Sequence, residues 1–519
     1  MESVYSNRLQ QTGTYPNMTE EQSPEPTATP RLAWLIGLPA RVWTALRYIG
    51  QRLSSATQRV QHGWRARSDF QRHLLIGLLA GVVIEIALHF THHHLAWLQE
   101  LEDMAIDGIM NLQQATTIDK PATPFVILDI DEPTYRAWDE PFHVPRDRLL
   151  KLIDYAVQGG AALVIVDVDL SQRGHDPAAD QMLQDYLANY GAAGKPPLLL
   201  ARAFRPPLPG QHALPTERRS FLEQETRIAA SPPIQWGSTL FELDQGQLLR
   251  RWRLWQITCD ERTHQPVVVP SLQLLAVALL RQPHEDPGTV AGQVHTALQT
   301  LAPAQCDGHP PHHHGGTLDI AGMKLSAQPK GIAQRILYEL PWQLHPGEAY
   351  PTLPRPDGAS APLLSVFSAL PIADGTKPVA RDAITGRVVV IGGSFWESRD
   401  LYLTPLGQMP GFLVLVNAIH SLHQHEEIKP PPLCLKLPIT VALIVLMSLI
   451  FVWLSSFWAM LVTSVVIIAL PSISYCLFKA GVWLDFVIPL CAVAVHWRLH
   501  WVTAHTGEHR HARHSSATH

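Results

Sequence analysis

The chain has 519 residues, 46% of them hydrophobic and only 16% charged, with 43 prolines and a formal net charge of −5. That balance places it on the apolar side of ordinary soluble proteins, as for a membrane protein with a sizeable soluble part. It excludes a nucleic-acid binder, which would carry a basic face and a high pI.

Residues 1–30 are rich in Thr, Pro, Glu and Gln and read as a disordered tail. Across 31–72, Leu35, Leu38, Val42, Leu46, Ile49 and Leu53 recur at helical spacing among arginines, the pattern of a basic amphipathic segment on an anionic membrane surface. An ordinary solvated helix is the alternative. The apolar run at 73–91 is long enough to span a bilayer, and the eight arginines from Arg31 to Arg72 put its N-terminal side in the cytoplasm. Glu85 within that run calls for a partner such as Lys436 or Lys479.

From 434 to 502 the chain is almost continuously apolar, broken at Ser455 and Ser456 and at Lys479 to Gly481, which predicts three further spans. A His-rich tail over 503–519 follows. Together these predict an inner-membrane protein with four transmembrane helices, one N-terminal and three C-terminal, and both termini cytoplasmic. Residues 92–433 then form an extracytoplasmic α/β domain with a mainly parallel sheet.

Within that domain, Phe125 to Ile130 and Ala161 to Leu170 are apolar strands ending in acids, joined by a helix from about Pro145 to Val157 that stops at Gly159 and Gly160. Strand, helix and strand of this kind are a βαβ unit. The spacing predicts further helices at 177–190, 270–280 and 411–423, strands at 197–201 and 387–391, and a surface insertion at 302–316. Five cysteines are present; Cys259 and Cys306 alone lie in the domain and could form a disulfide if it is exported. No CxxC pair exists, which excludes zinc-ribbon and thioredoxin readings.

Groups just beyond the carboxyl ends of parallel strands line the crevice where ligands bind. Asp129, Asp131, Asp167, Asp169 and the loop after Gly392 fall there, with Arg146 or Arg250 as an anion clamp. The competing reading is that these acids cap helices and pair with arginines to hold loops. The 27 histidines, grouped at His92–His94, His312–His314, His420, His423 and His425, and in the C-terminal tail, are either metal ligands or a compositional bias.

Three stretches, FVILDIDEPTY, VPRDRLLKLIDYAVQGGAALVIVDVDLS and RVVVIGGSFWESRDLYLTPLGQMPGFLVLVNAIHSL, resemble the type-two CHASE domain, an extracellular sensory module of bacterial signalling proteins. The family's acid-x-acid strand end is matched by Asp129 and Asp131, its Arg before the first helix by Arg146, and its Asp after the second strand by Asp167. Its closing segment is matched by Gly392, Asp400, Thr404, Pro405, Pro410, Gly411 and Asn417. The resemblance covers about 120 to 430 and adds Asp400, Thr404 and Asn417 to the ligand-binding set. It implies a sensor rather than an enzyme, dimeric in a lipid bilayer, taking an unknown small ligand and needing no cofactor.

Family members usually continue into a cytoplasmic kinase, cyclase or phosphodiesterase, whereas about 17 residues follow Val502, so the expected output is a separate cytoplasmic protein. A structural or assembly subunit of an envelope complex is the first alternative. The second is a Mg²⁺-dependent phosphohydrolase of the haloacid-dehalogenase type, with Asp129 as nucleophile and Asp131 as acid/base. That motif expects Thr or Val where Pro133 stands, and Thr134 falls one place late.

Overall fold

A computed structural model describes residues 96–113 and 122–428, apart from 192–193, 211–212, 230, 245, 307–315, 329–330, 343–348, 355–359 and 379, together with isolated helical positions within 71–86 and 434–465. The chain enters through α1 (Ala96–Gln113) and proceeds through β1 (Phe125–Ile130), α2 (Glu132–Ala137), α3 (Arg146–Gln158), β2 (Leu163–Val166), α4 (Pro177–Ala188), β3 (Leu198–Arg205), β4 (Thr216–Arg218) and β5 (Ile234–Ser238). A hairpin of β6 (Phe241–Leu243) and β7 (Leu249–Trp252) leads to β8 (Trp255–Cys259), β9 (Pro266–Pro270), α5 (Leu272–Arg281) and α6 (Pro287–Gln299). The chain returns to the sheet as β10 (Leu364–Ser368) and β11 (Val388–Gly393), then forms the hairpin β12 (Leu401–Thr404) and β13 (Gly407–Pro410) and finally α7 (Gly411–His425).

The main sheet runs β10-β1-β11-β2-β3, with β5 alongside β3 and all these neighbours parallel. A branch continues from β3 through β4 and β8 to β9, with antiparallel pairing at β3–β4 and β8–β9. Side chains alternate between two cores, as period-2 geometry requires. Phe125, Ile127, Ile165 and Val390 pack with α1, α5 and α7 on one face, while Val126, Leu128, Val166 and Ile391 pack with α3 and α4 on the other. β2 ends at Val166, earlier than the apolar run suggests, because Asp169 closes a turn by accepting the Ser171 N–H at 2.7 Å.

The helices begin where short polar side chains can cap them. Asp176 caps α4, Ser271 caps α5 and Asp286 caps α6, with proline in the first turn of α4 and α6. α3 buries Leu149, Leu152, Ile153 and Ala156 on one stripe and is followed by Gly160 at φ 76°.

The expectation of four transmembrane helices is corrected. Among the described residues no helix is long and apolar enough to cross a membrane. α1 has 18 residues but carries Glu100, Glu102, Asp103 and Asp107. The strongly apolar α5 and α7 have 10 and 15 residues and are buried against the sheet, so their hydrophobicity serves the domain core. The tail at 1–30, the basic segment at 31–72, Glu85, His92–His94, His312–His314 and the tail at 503–519 lie outside the described residues, as do most positions of 73–91 and 434–502.

α1 is held on two sides. Ile106, Ile109 and Met110 enter the core, and its acidic side meets Arg250 and Arg251 of β7 and the fully buried Arg335. Replacing Arg335 by alanine leaves Asp103 and Asp107 without their buried partner and is expected to cost about 3–5 kcal/mol in urea unfolding. Cys259 and Cys306 form a disulfide across 47 positions with their Cα atoms 5.8 Å apart. Cys306→Ser is expected to lower stability by about 2–4 kcal/mol, and a reductant should have the same effect on the unsubstituted protein.

Candidate functional site

The carboxyl ends of β1, β11 and β2 lie side by side. Asp129 pairs in register with Gly392, and the Asp167 N–H donates to the Ile391 carbonyl at 2.8 Å. By alternation Asp129, Gly392 and Asp167 share the face covered by α7. Phe412 of α7 packs so closely on Gly392 that a Cβ there would lie 2.9 Å from the Phe412 Cβ. Gly411 is tighter still: a Cβ would overlap the Asp400 carboxylate. These two glycines let the first turn of α7 settle onto the strand ends.

Three carboxyls at this edge are desolvated. Asp129 is 4% exposed and accepts hydrogen bonds from the Ser394 N–H at 3.1 Å and the Ser394 hydroxyl at 2.7 Å. Burial, reinforced by the neighbouring Asp131 charge, pushes its pKa up to about 7 against those bonds. Asp167 is pushed up to about 8 by burial and then by Asp400. Asp400 is also raised by burial, although the Tyr402 hydroxyl and the Gly411 N–H donate to its carboxylate.

The other expected site residues hold loops. Asp131 caps α2, accepting the Thr134 N–H at 2.9 Å and the Thr134 hydroxyl at 2.5 Å. Arg146, 1% exposed, donates to the carbonyls of Val144, Asp169 and Gln172 at 3.0–3.2 Å and so pins the loop after β2. Arg250 has its charge met by Glu100 and Asp107 of α1 and by Asp244. Thr404 closes the β12–β13 turn by donating to the Gly407 carbonyl at 2.6 Å. Buried Asn417 accepts the N–H groups of Glu339 and Leu340 at 3.0 Å and donates to the Leu340 and Leu413 carbonyls, tying segment 339–340 to α7.

The histidines of α7 are engaged as well: His420 and His425 lie 2.9 and 3.3 Å from the Glu339 carboxylate. Among the described residues, Glu100, Asp103 and Asp244 stand close enough to share a cation, but Arg250, Arg251 and Arg335 already neutralise that cluster.

Beside the buried acids lies an open cleft of about 990 Å³, built by the segments that follow β1 and β11. Tyr135 of α2 and Phe395 stack with their centroids 4.3 Å apart, and Phe142 and Trp396 are 92% and 70% exposed. Leu401 and Gln408 of the β12–β13 hairpin complete one wall, and Glu397 and Arg399 carry opposite charges at its border. Arg399 adopts φ 52°, a left-handed backbone that costs a non-glycine residue about 1–2 kcal/mol. Ser394, bonded to Asp129, is the root of this loop, so the buried acid and the exposed aromatic wall belong to one structural unit. The reading from sequence missed the cleft. Its trace there is a set of aromatic residues shortly after two strand ends, Tyr135, Phe142, Phe395 and Trp396, of which Phe142 and Trp396 stand exposed.

The described residues thus form a disulfide-linked α/β domain with helices on both faces of its sheet and a ligand-sized cleft at the carboxyl edge of its parallel strands. The model of the CHASE2 domain family matches residues 79–458, well over half of the chain. The chain belongs to the CHASE2 family, which is a family of sensory domains. Neither the curated proteins nor the solved structures provide a match.

The raised carboxyls fix the sign of a pH effect. With folded pKa values of about 7 and 8 for Asp129 and Asp167 against 3.8 unfolded, the native state holds more protons than the unfolded chain between those limits. Stability therefore falls as pH rises from about 4 to 8 through these groups. Asp129→Asn and Asp167→Asn should each flatten that decline and raise the urea midpoint at pH 8, by at least about 1 kcal/mol of stability.

Proposed function

We propose that this CHASE2 protein is an extracytoplasmic receptor subunit that takes a small amphipathic ligand in the aromatic cleft and passes the change through α1 to a separate output protein. The observation that carries this reading is the shared hairpin. Leu401 and Gln408 line the cleft, while at the turn of the same hairpin the Pro405 carbonyl accepts a hydrogen bond from Asn111 Nδ2 of α1 at 3.2 Å. Leu403 also bridges to Leu248, beside β7 and its arginines.

A ligand seated between Phe142 and Trp396 would press on the loop rooted at Ser394 and on this hairpin. Both are light structures over a rigid sheet, and a ligand that binds one arrangement better shifts its population. Asp129 and Asp400 would act through the loop without touching the ligand, while Asp131, Arg146, Asp169, Thr404 and Asn417 keep its supports in place. The Cys259–Cys306 disulfide supports an oxidising, extracytoplasmic location. The reading involves no chemistry at Asp129, where burial opposes the ionised form a nucleophile needs.

The test is a thermal-shift screen of the full chain against amphipathic metabolites, aromatic amino acids included. A ligand at 100 times its Kd should add about 2.7 kcal/mol. The gain should disappear in Trp396→Ala while that variant, altered only at an exposed side chain, unfolds at the unliganded temperature. A gain that survives both Trp396→Ala and Phe142→Ala would move the site elsewhere. Silence from a folded protein would favour the assembly-subunit reading.

A further inference from the structure

A second cavity, of about 660 Å³, lies away from the aromatic cleft, among β3, the segment entering β5, β9 and the start of α6. Its wall is rich in charge, but that charge is consumed internally. Arg202 of β3 bonds to both carboxylate oxygens of Glu223, and its Nε lies 3.0 Å from Glu217. Arg219 pairs with Asp260, which also accepts the N–H groups of Arg262 and Thr263 at 2.8 Å. Asp286 is occupied in capping α6, where it accepts the Thr289 N–H at 2.9 Å.

Apart from the Nε atoms of Arg202 and Arg219, whose guanidinium charges are already paired with Glu217, Glu223 and Asp260, the unmet groups in the wall are neutral. The Ser231 hydroxyl, on a residue 8% exposed, and the Trp236 indole N–H are both buried without a hydrogen-bond partner. A buried polar group left unpaired costs about 1–3 kcal/mol, so two in one cavity point to a missing acceptor-bearing occupant. His295 faces the same space, and burial together with the Arg202 charge lowers its pKa, which leaves a neutral ring able to donate and accept. Ile234, Val267 and Val269 supply apolar wall. The Trp236 ring is held in place by the Arg202 guanidinium 4.7 Å from its centroid.

An ionic ligand would have to break one of the buried ion pairs, whereas a neutral one rich in hydroxyls satisfies the orphaned groups and leaves the pairs intact. We infer that this cavity is a second binding site, for a neutral polyhydroxylated ligand of the carbohydrate class, one or two sugar rings in size. Its hydroxyl oxygens accept from Trp236 Nε1 and exchange hydrogen bonds with Ser231 and His295, and its C–H faces pack on the valines. The volume is within the range of small-molecule sites.

The experiment is isothermal titration of the full chain with glucose, N-acetylglucosamine and maltose, and with citrate and spermidine as charged comparators. Saturable binding of at least one sugar is expected, weakened roughly tenfold by Trp236→Phe, which removes the N–H and keeps a ring, and by Ser231→Ala. Trp396→Ala should leave sugar binding unchanged, which separates this site from the aromatic cleft. Absence of saturable sugar binding, sugar binding indifferent to both substitutions, or preferential binding of citrate or spermidine would each overturn the assignment.

Discussion

The contact on which the domain depends is the ionic seam between α1 and the arginines of the fold. Glu100, Asp103 and Asp107 stand at helical spacing on one side of α1 and meet Arg250, Arg251 and Arg335, of which Arg335 is fully buried and Arg250 3% exposed. A buried network of this kind adds little net stability over an apolar one, because desolvation offsets most of its attraction. Its effect is geometric. Bidentate guanidinium contacts allow few registers, so α1 cannot slide along the domain without stranding charge in a dry interior. The segment preceding the sheet is thereby bound to the same unit as β7 and, through Asn111 and Pro405, to the hairpin beside the strand ends.

That seam gives the strand-end edge its meaning. The first turn of α7 closes over β11 at Gly392, Asp400 is folded against Gly411, and Asp129 is held by Ser394. Asp129 is buried here and Asp167 and Asp400 are half-buried, and desolvation raises the pKa of all three. Their raised pKa values make the edge sensitive to pH. The open surface lies one step further out, where aromatic side chains on connections project from a rigid sheet, the usual division between scaffold and recognition.

The two candidate sites differ in how they became visible. The strand-end acids stood out in the sequence because parallel strands end in polar residues at a predictable edge. Which of them face an opening, and which cap α2 or brace a loop, depends on backbone positions that no spacing reveals: Asp131 and Asp129 are two residues apart and have opposite fates. Two of the carboxylate partners of Arg250, Glu100 and Asp107, lie 150 and 143 positions away on α1, beyond the reach of local spacing. The cavity around Trp236 draws on residues between Arg202 and His295, and its unmet groups can be recognised only when all their neighbours are in place.

Local regularities carried the parallel βαβ core, most helix limits, the acid-ended strands and the family resemblance, because periodicity, capping and turn chemistry act over a few residues. They did not carry the four membrane spans expected at 73–91 and 434–502: among the described residues no helix is long and apolar enough to cross a membrane, and most positions of those two segments lie outside them. The α1 seam, the Cys259–Cys306 bridge, the raised pKa values of the edge acids and both cavities were decided by the tertiary structure. Each rests on contacts between distant segments, and on the loss of water that only the completed packing brings about.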